Sequence, residues 1–159
     1  MTHNKWKPFL DNELIDAEMK RINKVLKSEE YFPAEDKVFR FLELDPETIK
    51  FVIVGMEPYP TDYEKDGIYY PIATGRSFEV DNVVDWNQKF KQSSLRNILK
   101  AIYFECAGKE ESLSKIRKEI EDGAFKISQP KEWFDNMEAQ GVLFFKCIFD
   151  CPKICCKFS

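Results

Sequence analysis

KFVIVGMEPYP, Lys50 to Pro60, is the stretch on which the reading of the chain turns. Phe51 to Val54 form a short, continuous and largely β-branched apolar run. That composition suits a strand buried on both faces, as in a parallel sheet covered by helices. Gly55 ends the run and permits a sharp turn, and Pro58 and Pro60 stop a regular element from starting at once. Between them stand an acid, Glu57, and an aromatic, Tyr59. Open α/β folds place their chemistry at the carboxyl ends of buried strands, where such a carboxylate would sit. Spacing alone favours a plainer reading, in which Glu57 caps a turn and Tyr59 packs locally.

Working outward, 159 residues suit one domain with a real core, and 43% hydrophobic and 14% aromatic content marks the chain as globular. No apolar stretch is long enough to span a bilayer. The start, MTHNKWKPF, is basic but has no apolar signal core, so a cytoplasmic protein is expected. The net charge of -4 argues against a surface that coats nucleic acid generally, while leaving room for a local basic strip.

Ile15, Met19, Ile22 and Leu26 recur at helical spacing and predict a first helix over about Asn12 to Lys27, with Lys20, Arg21, Lys24 and Lys27 on a solvated face. Pro33 suits the start of a second short helix with Val38, Phe41 and Leu42 inward, and Asp45-Pro46 turns the chain into the central strand. Thr61 to Thr74 is polar and aromatic-rich and reads as a surface loop that could lie over a pocket. Ser93 or Ser94 can cap a helix whose buried stripe is Leu95, Ile98, Leu99 and Ile102. Glu110 to Glu121 predicts another, with Leu113, Ile116 and Ile120 on one side and Asp122-Gly123 at its end. Pro130 opens a further helix that carries Trp133, Phe134 and Met137 inward, and Gly141 closes it. Val142 to Phe145 is then a second buried strand.

Four segments, in order, resemble the uracil-DNA glycosylase superfamily, and the likeness runs from about Trp6 to Phe145. VGMEPYP resembles the water-activating motif GQDPYH, ATGRSFEV (Ala73 to Val80) resembles AHGLAFSV, SSLRNILKAI (Ser93 to Ile102) resembles PPSLKNIYKEL, and GVLFF (Gly141 to Phe145) resembles GVLLLN. Trp6, Tyr31-Phe32-Pro33 and Phe39 also stand in fitting places. The resemblance implies an α/β fold, a three-layer α/β/α sandwich with a short central parallel sheet, here with the C-terminal part of the family fold missing. It implies a glycosylase-like domain over residues 1–145, followed by an atypical cysteine-rich tail, 146–159.

The resemblance also implies the site. Glu57 would position the attacking water and stabilise a positive, sugar-centred transition state. Met56 would contact the base through its backbone, Phe78 would stack on it, and Tyr59 would exclude the 5-methyl of thymine. Pro58, Ser93 and Ser94 would face DNA phosphates, and a helix start with free N–H groups suits an anion. Read from residues alone, Phe78 is equally a core phenylalanine and the serines are equally plain caps.

Departures from the family pattern are as informative. Glu57 stands for aspartate, one methylene longer, Met56 for glutamine, and Pro60 for histidine, as in poxviral members. Lys146 stands where an asparagine reads the uracil edge; lysine offers donors and a charge, without the paired acceptor. The loop resembling HPSPLS, which supplies a histidine, is absent. After Lys146 come Cys147, Cys151, Cys155 and Cys156, four of the 5 cysteines. A shift in reading frame near codon 146 would account for the change, and the nucleotide sequence would test it. C-x3-C-x3-C-C brings thiolates close enough for zinc or iron–sulfur but matches no common zinc spacing, so no metal is expected, and the glycosylase resemblance implies no cofactor.

The function expected from this reading is base excision: hydrolysis of the N-glycosidic bond of a uracil-type base flipped out of single- or double-stranded DNA. The alternatives are an inactive DNA- or protein-binding homologue, or a truncated product whose central strand is an exposed apolar edge that self-associates.

Overall fold

In the computed structural model, residues 3–9, 13, 17, 20, 24 and 32–146 are described. Contacts divide them into two compact units: residues up to Asp81 together with those from Met137 onward, and Asn82–Asn136.

The first unit is built on two parallel strands, β1 (Phe51–Gly55) and β4 (Val142–Lys146), with Phe51 opposite Val142 and Gly55 opposite Lys146. Both runs are continuous and apolar, as a parallel sheet requires. Their burial differs. Val142, Leu143 and Phe144 are in the core, whereas Phe51, Val52, Ile53 and Val54 are 39–66% exposed. The expectation that β1 is buried on both faces is therefore corrected. An apolar run is covered only where another layer packs on it, and among the described residues β4 is the strand paired with β1.

Ahead of β1 the chain forms short 3-10 turns, Glu35–Lys37, Arg40–Glu43 and Pro46–Thr48, in place of the expected second α-helix. Val38 is buried as expected, while Phe41 and Leu42 are half-buried. The last turn is held by Asp45, whose carboxylate accepts from the Glu47 N–H at 3.2 Å. Trp6 lies edge-on to Phe41 (5.5 Å), Phe41 lies edge-on to Phe145 (5.4 Å), and the Trp6 Nε1–H donates to the Leu44 carbonyl at 2.9 Å. The predicted first helix falls largely outside the described residues. Glu13, Ala17, Lys20 and Lys24 are helical and exposed, at spacings of four, three and four that mark one solvated face.

Thr61 to Thr74 is not a plain loop. It contains an antiparallel hairpin, β2 (Asp62–Lys65) and β3 (Ile68–Pro71), with Tyr63 opposite Tyr70 and their rings 5.8 Å apart. Asp66 and Gly67 form the turn with φ of 54° and 78°, the left-handed pair that a two-residue hairpin needs. Asp-Gly between aromatic, alternating flanks was the sequence signal for it. The Tyr63 hydroxyl donates to Asp81 at 2.5 Å, and that carboxylate, with burial adding to it, pushes the phenol up to about 12.

In the second unit three helices supply the core: Ser93–Ala107, Leu113–Glu121 and Pro130–Ala139, the last of which runs on into the first unit. Leu95, Leu99 and Ile116 are fully buried, as is Phe134, in keeping with the predicted stripes. Tyr103 extends the first stripe by one further turn, and Ser112 is the true cap of the second helix, accepting from the Lys115 N–H at 3.3 Å. Trp86 is fully buried, donating from its indole to the Ser128 carbonyl at 2.8 Å. Its own carbonyl accepts from Arg117 Nε at 2.7 Å, and the same guanidinium sits 4.9 Å over the Phe90 ring.

Candidate functional site

The site is built where β1 and β4 end. Gly55 closes β1, and a Cβ placed there would lie 2.7 Å from the Ser77 Cβ, so glycine is required by close approach. Ser77 is fully buried and tied to both strands: its Oγ donates to the Ile53 carbonyl at 3.0 Å and its N–H to the Phe144 carbonyl at 3.3 Å. The segment Ala73 to Val80 is thereby fastened across the sheet and closed by a bridge between Ala73 and Val80.

Arg76 anchors the same segment. Its guanidinium donates to Glu79 at 2.9 Å and to Glu138, all three side chains being nearly buried. Between these anchors Phe78 takes a φ of +68°, a left-handed conformation that costs a residue with a Cβ about 1–2 kcal/mol. Ser77 on one side and the Arg76–Glu79 pair around it hold the strained backbone in place. Phe78 is half-buried, neither lost in the core nor free in solvent. Sequence reading singled out Phe78 but missed Ser77 and Arg76, which position it. A small hydroxyl residue in the segment facing a strand-ending glycine was the available signal.

Beyond Gly55 the chain turns outward. Met56 is 86% exposed and Glu57 faces solvent, while Pro58 is buried and Tyr59 half-buried. Tyr59 faces Lys146: the Lys146 Nζ lies 4.2 Å from the centre of the Tyr59 ring. Lys146 is the last residue of β4, and only 6% of it is exposed. Burial pushes its amine down from the ordinary 10.5 to about 8. Two effects oppose each other here. Desolvation disfavours the ammonium by an amount worth about 3 kcal/mol, and the ring face favours it by about 0.5–2 kcal/mol. Desolvation prevails.

Glu57, Pro58, Tyr59, Phe78 and Lys146 thus all belong to the first unit, at or next to the carboxyl ends of its two parallel strands. Ser93 and Ser94 belong to the second. The expectation that one of them caps the helix is corrected: Gln92 occupies the cap position without a side-chain bond, and the serines are the first two helical residues. The first turn is therefore without a side-chain acceptor at its cap.

Two clefts in the second unit, of about 410 Å³ beside Phe125 to Gln129 and about 350 Å³ beside Lys100 and Phe104, contain none of the expected site residues. Among the described residues, no group of three or more His, Cys, Asp or Glu could hold a metal ion. The cysteines from Cys147 onward lie outside the described residues. No described helix is long and apolar enough to cross a membrane.

Against known proteins, no protein-family model matches the chain. Curated relatives do. A uracil-DNA glycosylase of Helicobacter pylori is 28% identical over 104 residues, covering 62% of this chain and 42% of that protein. One from Streptococcus agalactiae is 29% identical over 107 residues, covering 64% and 43%. One from Corynebacterium glutamicum is 31% identical over 68 residues, covering 43% and 26%. The chain thus spans less than half the length of these relatives. Among solved structures, wild-type UNG from Nitratifractor salsuginis superposes with a TM-score of 0.62 at 22% identity, over 89% of this chain and 57% of that one. The fold is shared.

Proposed function

We propose that this chain, a divergent member of the uracil-DNA glycosylase superfamily, binds DNA and releases a uracil-type base by hydrolysis of its N-glycosidic bond. The observation that carries the reading is the gathering of the motif residues at the carboxyl ends of two parallel strands, with Phe78 held in a strained conformation beside them. In this reading the base leaves the stack, because the reacting carbon is out of reach inside it. The Glu57 carboxylate, open to solvent two residues past Gly55, holds the attacking water and faces the developing positive charge on the sugar. Phe78 stacks on the base, Tyr59 limits the space beside its 5-position, and the Met56 backbone and Lys146 meet its polar edge. Pro58, Ser93 and Ser94 meet phosphate, the last two from an uncapped helix start.

Base release from a uracil-containing oligonucleotide, read as abasic-site cleavage, tests the reading directly. Glu57→Ala is expected to lower the rate by about 100-fold, the usual cost of removing one electrostatic group from such a site. Equal rates for the two proteins would overturn the assignment of Glu57. No release from a folded sample that still binds DNA would leave a binding homologue. The reading that favours such a homologue rests on Lys146, which stands where the family places a paired amide.

The exposed run Phe51 to Val54 supports self-association as part of the same proposal, since an open apolar strand invites a second chain. Val52→Lys is then expected to shift sedimentation toward the monomer. A wild-type chain that stays monomeric as its concentration rises would remove this partner from the proposal.

A further inference from the structure

We propose that Lys146 condenses with the aldehyde carbon of an abasic deoxyribose, so that the site captures the sugar left behind when a base is lost from DNA. The inference rests on the base-release reading only for the identity of the ligand. Its geometry is independent. Lys146 ends β4 in register with Gly55, is buried, and holds its Nζ 4.2 Å from the centre of the Tyr59 ring. Met56 and Glu57, one and two residues past Gly55, are exposed.

An amide in this position can only exchange hydrogen bonds; a lysine brings a lone pair. Amines that form imines are those kept partly unprotonated by a desolvated setting. Burial places this one at about 8, so that it is half neutral at that pH. The chemistry balances without an oxidant or reductant. The neutral Nζ attacks C1′ of the open-chain sugar, a C–N bond forms, the carbonyl oxygen leaves as water with both amine protons, and the imine nitrogen takes one proton from solvent to become the iminium. The iminium acidifies the C2′–H. Its proton passes to water, the C–H electron pair becomes a C2′=C3′ double bond as the 3′ phosphate departs with the electron pair of its C–O bond, and hydrolysis of the imine returns the free amine.

The deciding experiment uses the full chain and an oligonucleotide that already carries one abasic site, so that base release plays no part. Incubation with sodium cyanoborohydride, which reduces an imine to a stable amine, is expected to leave a covalent protein–DNA adduct that peptide mapping places on Lys146. Lys146→Arg, which keeps the charge and loses the nucleophile, is expected to lower the adduct yield by at least about tenfold. Absence of an adduct from the wild-type chain, an adduct on another amine, or an undiminished yield in Lys146→Arg would each overturn the proposal. The map is made on the wild-type chain, so it decides even if the variant does not fold. Uracil release is scored on a separate substrate, so either activity can fail without the other.

Discussion

Replacing Lys146 by methionine is expected to stabilise the folded chain at pH 7 by about 1–3 kcal/mol, the desolvation cost less what the Tyr59 ring returns, with the gain gone above the ordinary lysine value of 10.5. The amine is pushed down to about 8 because burial penalises the ammonium. Below that pH, folded and unfolded chains both hold the proton, and the whole cost of keeping a buried charge falls on the folded state. Between about 8 and 10.5 the folded chain has released the proton and the unfolded chain has not. The unfolded state then binds more protons, so wild-type stability rises with pH through this window. Above it both states are neutral and the cost has disappeared. Methionine has similar bulk, no charge, and a sulfur that suits the face of Tyr59. In melting temperature the difference at pH 7 corresponds to roughly 2–12 °C for a chain of this size. Both proteins share the Tyr63 phenol, held at about 12, so its titration cancels from the comparison. Melting both proteins at pH 7 and at pH 10.5 checks the argument; a difference that does not change with pH would refute the assigned cause.

Arg76→Met is expected to cost about 3–5 kcal/mol, the usual result of removing one partner from a buried charge cluster. The guanidinium, 3% exposed, is shared between Glu79 and Glu138, whose side chains are 6% and 11% exposed. Without it two nearly buried carboxylates lose the cation they share. Adding Glu79→Gln and Glu138→Gln to the variant is expected to recover part of the loss, because neutral amides tolerate burial better than unpaired carboxylates. Denaturant unfolding of the single and triple variants at pH 7 measures this. A single variant as stable as wild type would show that the cluster contributes nothing. The functional consequence is local, since Arg76 holds the segment in which Phe78 adopts its left-handed backbone.

Much of the architecture was readable along the chain because it depends on short-range patterning. The two strand runs, the helices after Ser93, Glu110 and Pro130, and the stops at Asp122-Gly123 and Gly141 follow from apolar period, helix-opening proline and terminating glycine, which act within a few residues. The hairpin at Asp62–Pro71 is equally local, its Asp-Gly turn setting the fold of a segment whose overall polarity suits a loop. The family motifs directed attention to Glu57, Tyr59, Phe78 and Lys146. Ser77 and Arg76 stayed out of sight because their importance lies in partners 24 and 62 residues away, the Ile53 carbonyl and Glu138.

By itself, the order of residues determined where this chain extends, where it turns and where it coils. It also placed an acid, an aromatic and a lysine beside strand ends, since backbone preference and periodicity are properties of neighbours in sequence. Tertiary structure alone decided which of two similar apolar runs is covered, β4, and which is left open, β1. It alone set Gly55 beside Lys146 in register, turned that lysine from a surface charge into a buried amine over Tyr59, and gave Phe78 its strained backbone. Burial, proton affinity and strain depend on what packs around a residue, and here those neighbours come from distant parts of the chain.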